Sequence, residues 1–320
     1  MMATHPPPTI SPLPLPVARF RLTFRAADDL RLPAYAGSAW RGAFGRALKR
    51  LVCVTRAPTC PPCLLYRSCL YPYVFETPPD PGVGKLTRYP AAPHPYVLVP
   101  DARGGAIAAG DTLTLDVILF GHGNRHLPYV IHALHQAGQR GLGRERGALE
   151  LLRVAQVDGA DWRPIYTPGG AFTPLPPVAP IAPPVPERLT LRVLTPLRLT
   201  QEDRLVSRDR FRFHLLFSSL LRRISLLTAF HTDAPLEADF AGLTQAARAV
   251  ELAGARLRWR DWTRYSSRQD ALIQMGGLVG EIELDGAGLE PFWPYLWLGQ
   301  WTHAGKGAVM GLGGYRLTPD

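Results

Sequence analysis

The residues best placed to do chemistry lie near the end of this chain. The run Trp301-Thr302-His303-Ala304-Gly305-Lys306-Gly307-Ala308-Val309-Met310-Gly311-Leu312-Gly313-Gly314-Tyr315-Arg316-Leu317 sets an imidazole close to an ammonium and spreads glycines through one loop. An imidazole takes or gives a proton near neutral pH, and an ammonium holds an anion as a compact point charge. Gly305, Gly307, Gly311 and Gly313 allow positive φ, so their N–H groups can be aimed at a phosphate chain. Two nucleotide templates do not fit. A P-loop fixes the spacing from its first glycine and follows Gly-Lys with Ser or Thr; Gly299 stands one residue too far away and Gly307 follows Lys306. A dinucleotide fingerprint opens a helix after a strand, whereas this loop closes a helix-like segment. A weaker copy of the same order lies mid-chain, where Gly138 leads through Gly141-Leu142-Gly143-Arg144 to strand-like Leu149–Val154.

The second chemical cluster is sulfur. Cys53, Cys60, Cys63 and Cys69 are the chain's only cysteines, spaced C-x6-C-x2-C-x5-C. Four thiolates are what a closed tetrahedral zinc site needs, and clustered cysteines in a reducing compartment point to metal before disulfide. Structural zinc is the expected cofactor, with an iron–sulfur cluster or unligated thiols as alternatives. A closed shell leaves no position for water, so no catalytic metal is expected.

Charge names the partner class. The net charge is +10, which favours a polyanion. Lysine is confined to positions 49, 85 and 306, and arginine clusters in three places. Arg140, Arg144, Arg146 and Arg153 flank the first glycine loop; Arg204 to Arg212 precede a helix bearing Arg222 and Arg223; Arg256 to Arg268 interleave with Trp259, Trp262 and Tyr265. Guanidinium beside aromatic faces suits phosphates and unstacked bases. No apolar run reaches the roughly 18 residues of a membrane span, and the proline-rich start is not a secretory signal. A cytoplasmic protein with no membrane partner is the expectation.

The elements that must position these groups follow from periodicity. Residues 1–16 are a proline-rich arm, and residues 161–186 read as an extended linker, because their proline density excludes helix and central strand. Residues 17–160 form the first domain, with the cysteine insert at 53–76, and residues 187–320 the second. In the first, Val17–Arg25 alternates as a strand, and Gly37–Cys53 is a helix that Ser38 is placed to cap. Strands at Tyr96–Val99 and Thr112–Phe120, a helix at Leu127–Ala137 and a strand at Leu149–Val157 complete βαββαβ. The second half repeats the order: Leu189–Leu197, the helix Arg208–Phe230, strands Leu257–Arg264 and Gly277–Leu284, the helix Leu289–His303 and Tyr315–Leu317. The expected class is α+β, two tandem ferredoxin-like, RRM-like domains with a zinc-binding insert in the first.

At this point the chain resembles a known family, the CRISPR precursor-RNA-processing endoribonucleases of the RAMP superfamily. The residues carrying the resemblance are Leu32–Gly45, the four cysteines with Tyr71–Glu76, the Gly138–Arg146 loop, Arg222-Arg223-Ile224, Trp262–Gln269, and Gly305-Lys306 through Gly311-Leu312-Gly313. It covers nearly the whole chain. The resemblance implies binding of a CRISPR repeat RNA and metal-independent cleavage within it to give mature guide RNAs. It also implies RNA contacts at Arg144, Arg222, Arg223, Arg264, Arg268, Gly305, Lys306, Gly307, Gly311 and Gly313. Other CRISPR effector subunits are further candidate partners, and a non-catalytic RAMP subunit that holds guide RNA is the alternative function. Many members of the family carry a general acid/base histidine on or near the first helix, where this chain has Arg41, Arg46, Lys49 and Arg50 instead.

Cleavage without a metal needs a base for the 2′-OH, an acid for the leaving oxygen and a cation for the phosphorane. His303 with Lys306 is the first candidate pair, and His214 the second, with Tyr265 as a supporting donor. His122, His126, His132 and His135 imitate a metal spacing, while His5 in the arm and His94 before a proline carry no expected role.

Overall fold

The computed structural model describes residues 12–78, 92–143, 145–266 and 271–319. Strand β1 (Val17–Ala26) buries Phe20, Leu22 and Phe24 and turns Arg19, Arg21 and Arg25 outward, the period of two that a half-buried strand requires. It is followed by β2 (Leu30–Leu32), α1 (Gly37–Val52), α2 (Leu70–Phe75), β3 (Tyr96–Pro100), β4 (Gly105–Ile107), β5 (Thr112–Phe120), α3 (Leu127–Gln139), β6 (Leu149–Asp158) and β7 (Asp161–Tyr166). The first sheet is antiparallel with order β3-β5-β1-β6-β7. Trp40, Phe44 and Leu48 stack along one face of α1 onto its core.

The second half runs β8 (Arg188–Leu197), β9 (Thr200–Gln201), β10 (Arg204–Leu205), α4 (Phe213–His231), α5 (Phe240–Ala246), β11 (Gly254–Arg260), β12 (Thr263–Ser266), β13 (Ala271–Gln274), β14 (Gly277–Asp285), α6 (Trp293–Thr302) and β15 (Tyr315–Pro319). Its main sheet, also antiparallel, has order β11-β14-β8-β15. The result is a mixed α+β molecule built on two antiparallel sheets.

Several expectations shift. Ser38 does not cap α1: Ala36 is the N-cap residue, without a side-chain bond. That helix end is buried instead, and a Cβ on Gly37 would overlap the carbonyl of Met310. Residues 161–166, expected in the linker, form β7 against β6. The strand expected over 257–264 breaks after Arg260, where the Trp259 indole donates to Asp261 Oδ1 at 2.6 Å, and the chain resumes as the β12–β13 ribbon. The proline-rich segment is docked as well as extended: Val17 and Val178 exchange backbone bonds, and Trp293 Nε1 donates to the Pro183 carbonyl. Helix α4 is long and apolar enough by composition to cross a membrane; here Phe213, Leu216, Phe217, Leu220 and Ile224 fill the second core.

Candidate functional site

The glycine loop is where the two halves meet. Gly305, Gly307, Gly311 and Gly313 all adopt positive φ, as expected, but most of the loop's N–H groups are taken up by the chain itself. Gly305 N–H donates to Ser219 Oγ, Lys306 N–H to the Arg198 carbonyl, Gly313 N–H to the Pro196 carbonyl and Gly314 N–H to Thr195 Oγ1. Met310, Gly311 and Leu312 bond back to Gly307 and Ala308. A backbone group already paired in the protein cannot also hold a phosphate, so the cradle expected here is a docking element. From the first half, Tyr35 Oη donates to the Met310 carbonyl at 2.6 Å. Only Lys306 of the loop's basic or catalytic candidates stands exposed.

His303 lies beneath that loop with 5% exposure, its Nδ1 3.2 Å from the Leu312 carbonyl. Burial, and then the Arg223 charge, push its pKa down to about 3. His303 and Lys306 therefore do not face one solvent-accessible point as the sequence spacing suggested. His214 is half-buried near Arg212 and Arg248, which with burial lower its pKa. Arg222 is exposed on α4. The backbones of Arg264 and Tyr265 lie in β12 opposite Ile273 and Leu272; Arg144 and Arg268 lie outside the described residues.

What the structure does gather is a polar cluster at the seam. From α1, Arg41 brings Nη2 to 3.4 Å from His94 Nε2. Thr77 Oγ1 holds His94 Nδ1 at 3.0 Å, and the imidazole stacks on Tyr96 with ring centroids 5.9 Å apart. From α4, Arg223 donates through Nε to the Thr302 carbonyl at 2.6 Å, while its Nη2 is buried without a partner. Burial lowers the Arg223 pKa to about 10. Nearby, His231 accepts or donates at Nδ1 to Tyr73 Oη (3.1 Å) and at Nε2 meets the Pro93 carbonyl (2.7 Å). Burial and then Arg41 push the His94 pKa down to about 3, with Arg223 adding to the effect; burial does the same to His231, to about 4. His94, Arg41 and Arg223 each keep part of their surface open. The first helix lacks a histidine, and the segment before β3 delivers one to it. Sequence reasoning set His94 aside because of its flanking prolines; its adjacency to the buried strand residue Tyr96 was the available signal.

Two of these histidines, His231 and His303, are almost wholly enclosed, and their state ties stability to pH. Their folded pKa lies below the unfolded value of about 6.5, so the unfolded chain binds protons first as pH falls. Stability is fully present above about pH 6.5 and is lost on the way down to about 4 for His231 and about 3 for His303. The slope is on the order of 1.4 kcal/mol per histidine per pH unit at most. The melting temperature should fall by several degrees between about pH 7 and pH 5, and by less in His231→Gln. A flat profile over that interval would contradict the buried neutral state.

The four cysteines line one small cavity together with Thr55, Tyr66 and Tyr71. Thr55 Oγ1 is 3.4 Å from Cys63 Sγ, and its hydrogen bond lowers that thiol's pKa. Burial, then Glu76, raise the Cys60 thiol to about 11. Among the described residues no three His, Cys, Asp or Glu groups stand close enough to hold a metal ion, so neither the cysteines nor His122, His126, His132 and His135 form a ready-made centre.

Two antiparallel sheets, a glycine-rich seam and a basic surface define the class: an α+β protein suited to a polyanion. Residues 191–315 match the family model of the CRISPR-associated endoribonuclease Cas6, and residues 15–177 match a family model described as an N-terminal domain. Residues 191–315 therefore carry a domain of the CRISPR-associated endoribonuclease Cas6 family. An uncharacterised protein of Archaeoglobus fulgidus is 30% identical over 112 residues, 35% of this chain and 37% of that protein, so the match spans about a third of each. Among solved structures, a Cas6 product complex superposes with TM-score 0.56 at 20% identity, covering 95% of this chain and 99% of that one. Cas6 of Thermus thermophilus gives 0.54 at 18% identity, covering 95% and 99%. A partial Cas6-RT-Cas1–Cas2 complex gives 0.59 at 15% identity, covering 96% of this chain and 47% of that one. These likenesses establish the fold.

Proposed function

We propose that the protein binds a CRISPR repeat RNA and cleaves it by attack of a ribose 2′-OH on the adjacent phosphate. The observation that carries the reading is His94 meeting the Arg41 guanidinium at a partly open seam, within the field of the Arg223 charge. The neutral imidazole is the form that can accept the 2′-OH proton. As the oxygen attacks, the phosphorus–O5′ bond breaks and the departing oxygen takes a proton from water, leaving a 2′,3′-cyclic phosphate and a 5′-OH. Arg41 and Arg223 meet the charge that grows on the phosphorane. A phosphate seated between them would offset their field and raise the His94 pKa toward the working range of a general base. Cleavage at one position in the presence of a chelator tests this; binding without cleavage would favour the guide-holding subunit.

The two strand orders support reading each half as a ferredoxin-like module. β6-β1-β5-β3 and β15-β8-β14-β11 are the same sequence of fourth, first, third and second strands, joined by crossover helices α1 and α3 in the first and α4 and α6 in the second. Exposed Lys306, Arg222, Arg258 and Arg260 supply phosphate contacts outside the seam.

The shared cavity of the four thiols supports a structural zinc in the insert, closing once the thiols deprotonate and draw inward. Elemental analysis should find about one zinc per chain, and Cys63→Ser should lower the melting temperature. A metal-free protein of equal stability would remove this part of the proposal.

A further inference from the structure

Beside the glycine loop lies a cavity of about 470 Å³ lined by Arg198, Leu205, Trp259, Asp261, Trp262, Thr263, Gln274 and Gly276. We propose that it is a subsite for one unstacked nucleobase of a bound RNA strand, an inference that rests on the RNA-binding function proposed above.

Three observations carry it. The first is the wall chemistry. Two indoles offer aromatic faces, and every base has a π-face to lay against them. The Trp259 indole is fixed by its bond to Asp261 and remains 39% exposed, so part of its surface is open to a ligand. Trp262 packs edge-on against Tyr35 at 4.8 Å, while its Nε1–H is buried and has no acceptor. Gln274 carries both a donor and an acceptor amide, and Asp261 adds a carboxylate; together they can meet the polar edge of a base that has left its stack.

The second is construction. A Cβ on Gly276 would press on Asp261 Oδ1 and Trp259 Nε1, so the backbone closes directly behind the indole. Arg198 ties the pocket's rim to the β14 entry by donating through Nη1 to the Gly276 carbonyl. The break between β11 and β12, which the sequence pattern did not show, is what turns Trp259 and Trp262 into two walls of one space.

The third is position. The Arg198 backbone bridges to Gly305 and accepts the N–H of Lys306, so the backbone of this exposed lysine is bonded directly to a residue of the cavity wall. Exposed Arg204 and Arg260 adjoin the lining residues Leu205 and Asp261 in sequence. A strand whose phosphates run along these cations passes the mouth of the pocket.

The test is binding of an oligo-uridine of about a dozen nucleotides bearing a single central 2-aminopurine. Wild type should bind it at low salt and quench its emission by stacking. Trp259→Ala should leave the emission unquenched and weaken affinity about ten- to hundred-fold, and Trp259→Phe should restore most of both. Trp259 is partly exposed, so the variants should keep the wild-type melting temperature. If wild type binds with no quenching, or Trp259→Ala binds and quenches as wild type does, the pocket proposal is overturned while RNA binding stands. If wild type does not bind the oligonucleotide even at low salt, RNA binding itself fails and the pocket fails with it.

Discussion

Replacing His94 with alanine should slow cleavage of a bound repeat RNA by roughly 10²–10⁴-fold, the usual worth of a general acid or base, with little change in affinity. His94 touches Arg41 and Thr77 through its two ring nitrogens. Arg41→Ala should cost both steps, because a guanidinium that stabilises the phosphorane also holds the ground-state phosphate. His303→Ala should behave differently. Its ring packs under Gly314 and its Nδ1 bonds to the Leu312 carbonyl, so the expected loss is in melting temperature rather than in rate at a temperature where the variant is folded. Single-turnover rates measured beside binding isotherms separate these outcomes. Wild-type cleavage by His94→Ala would move the search to His214.

Gly311→Val should remove several kcal/mol of stability, enough to unfold much of the protein. Gly311 has φ +87°, a conformation costing a β-branched residue on the order of 1–3 kcal/mol. A Cβ there would also collide with Tyr35 Oη and stand 2.5 Å from the Leu98 carbonyl, adding an overpacking cost of about 1–3 kcal/mol. Both neighbours come from the first half and the glycine from the second, so the substitution wedges the seam open. Denaturant melts would show the loss as a lowered midpoint, and a midpoint equal to wild type would contradict the docking role given to the loop.

That loop also shows how far the sequence could be read. Its glycine density correctly signalled positive φ and close backbone approach, but the same signal serves a phosphate or the chain's own carbonyls. Only the partners of Gly305, Lys306, Gly313 and Gly314 decide between them. Element order was legible because burial imposes its period: β5 occupies the expected Thr112–Phe120, and α1 ends within a residue of its expected limit. The exceptions have local causes. Asp261 captures the Trp259 indole and ends β11, and β7 alternates too weakly, with Pro164 in it, to stand out from the proline-rich segment beside it. His94 carried only a faint signal, its place just before a buried strand, because Arg41 is 53 residues away in sequence and Arg223 comes from the other half.

The central claim is that a ribose 2′-OH of the repeat RNA is the nucleophile and that the seam cluster drives its attack. The most direct measurement is single-turnover cleavage, in chelator, of a repeat RNA and of the same RNA with one 2′-deoxy nucleotide at the cut position. The account predicts cleavage of the first to a 2′,3′-cyclic phosphate and a 5′-OH, with equal binding but no cleavage of the second. Cutting of the 2′-deoxy substrate at the same position, or products ending in a 3′-OH and a 5′-phosphate, would contradict it.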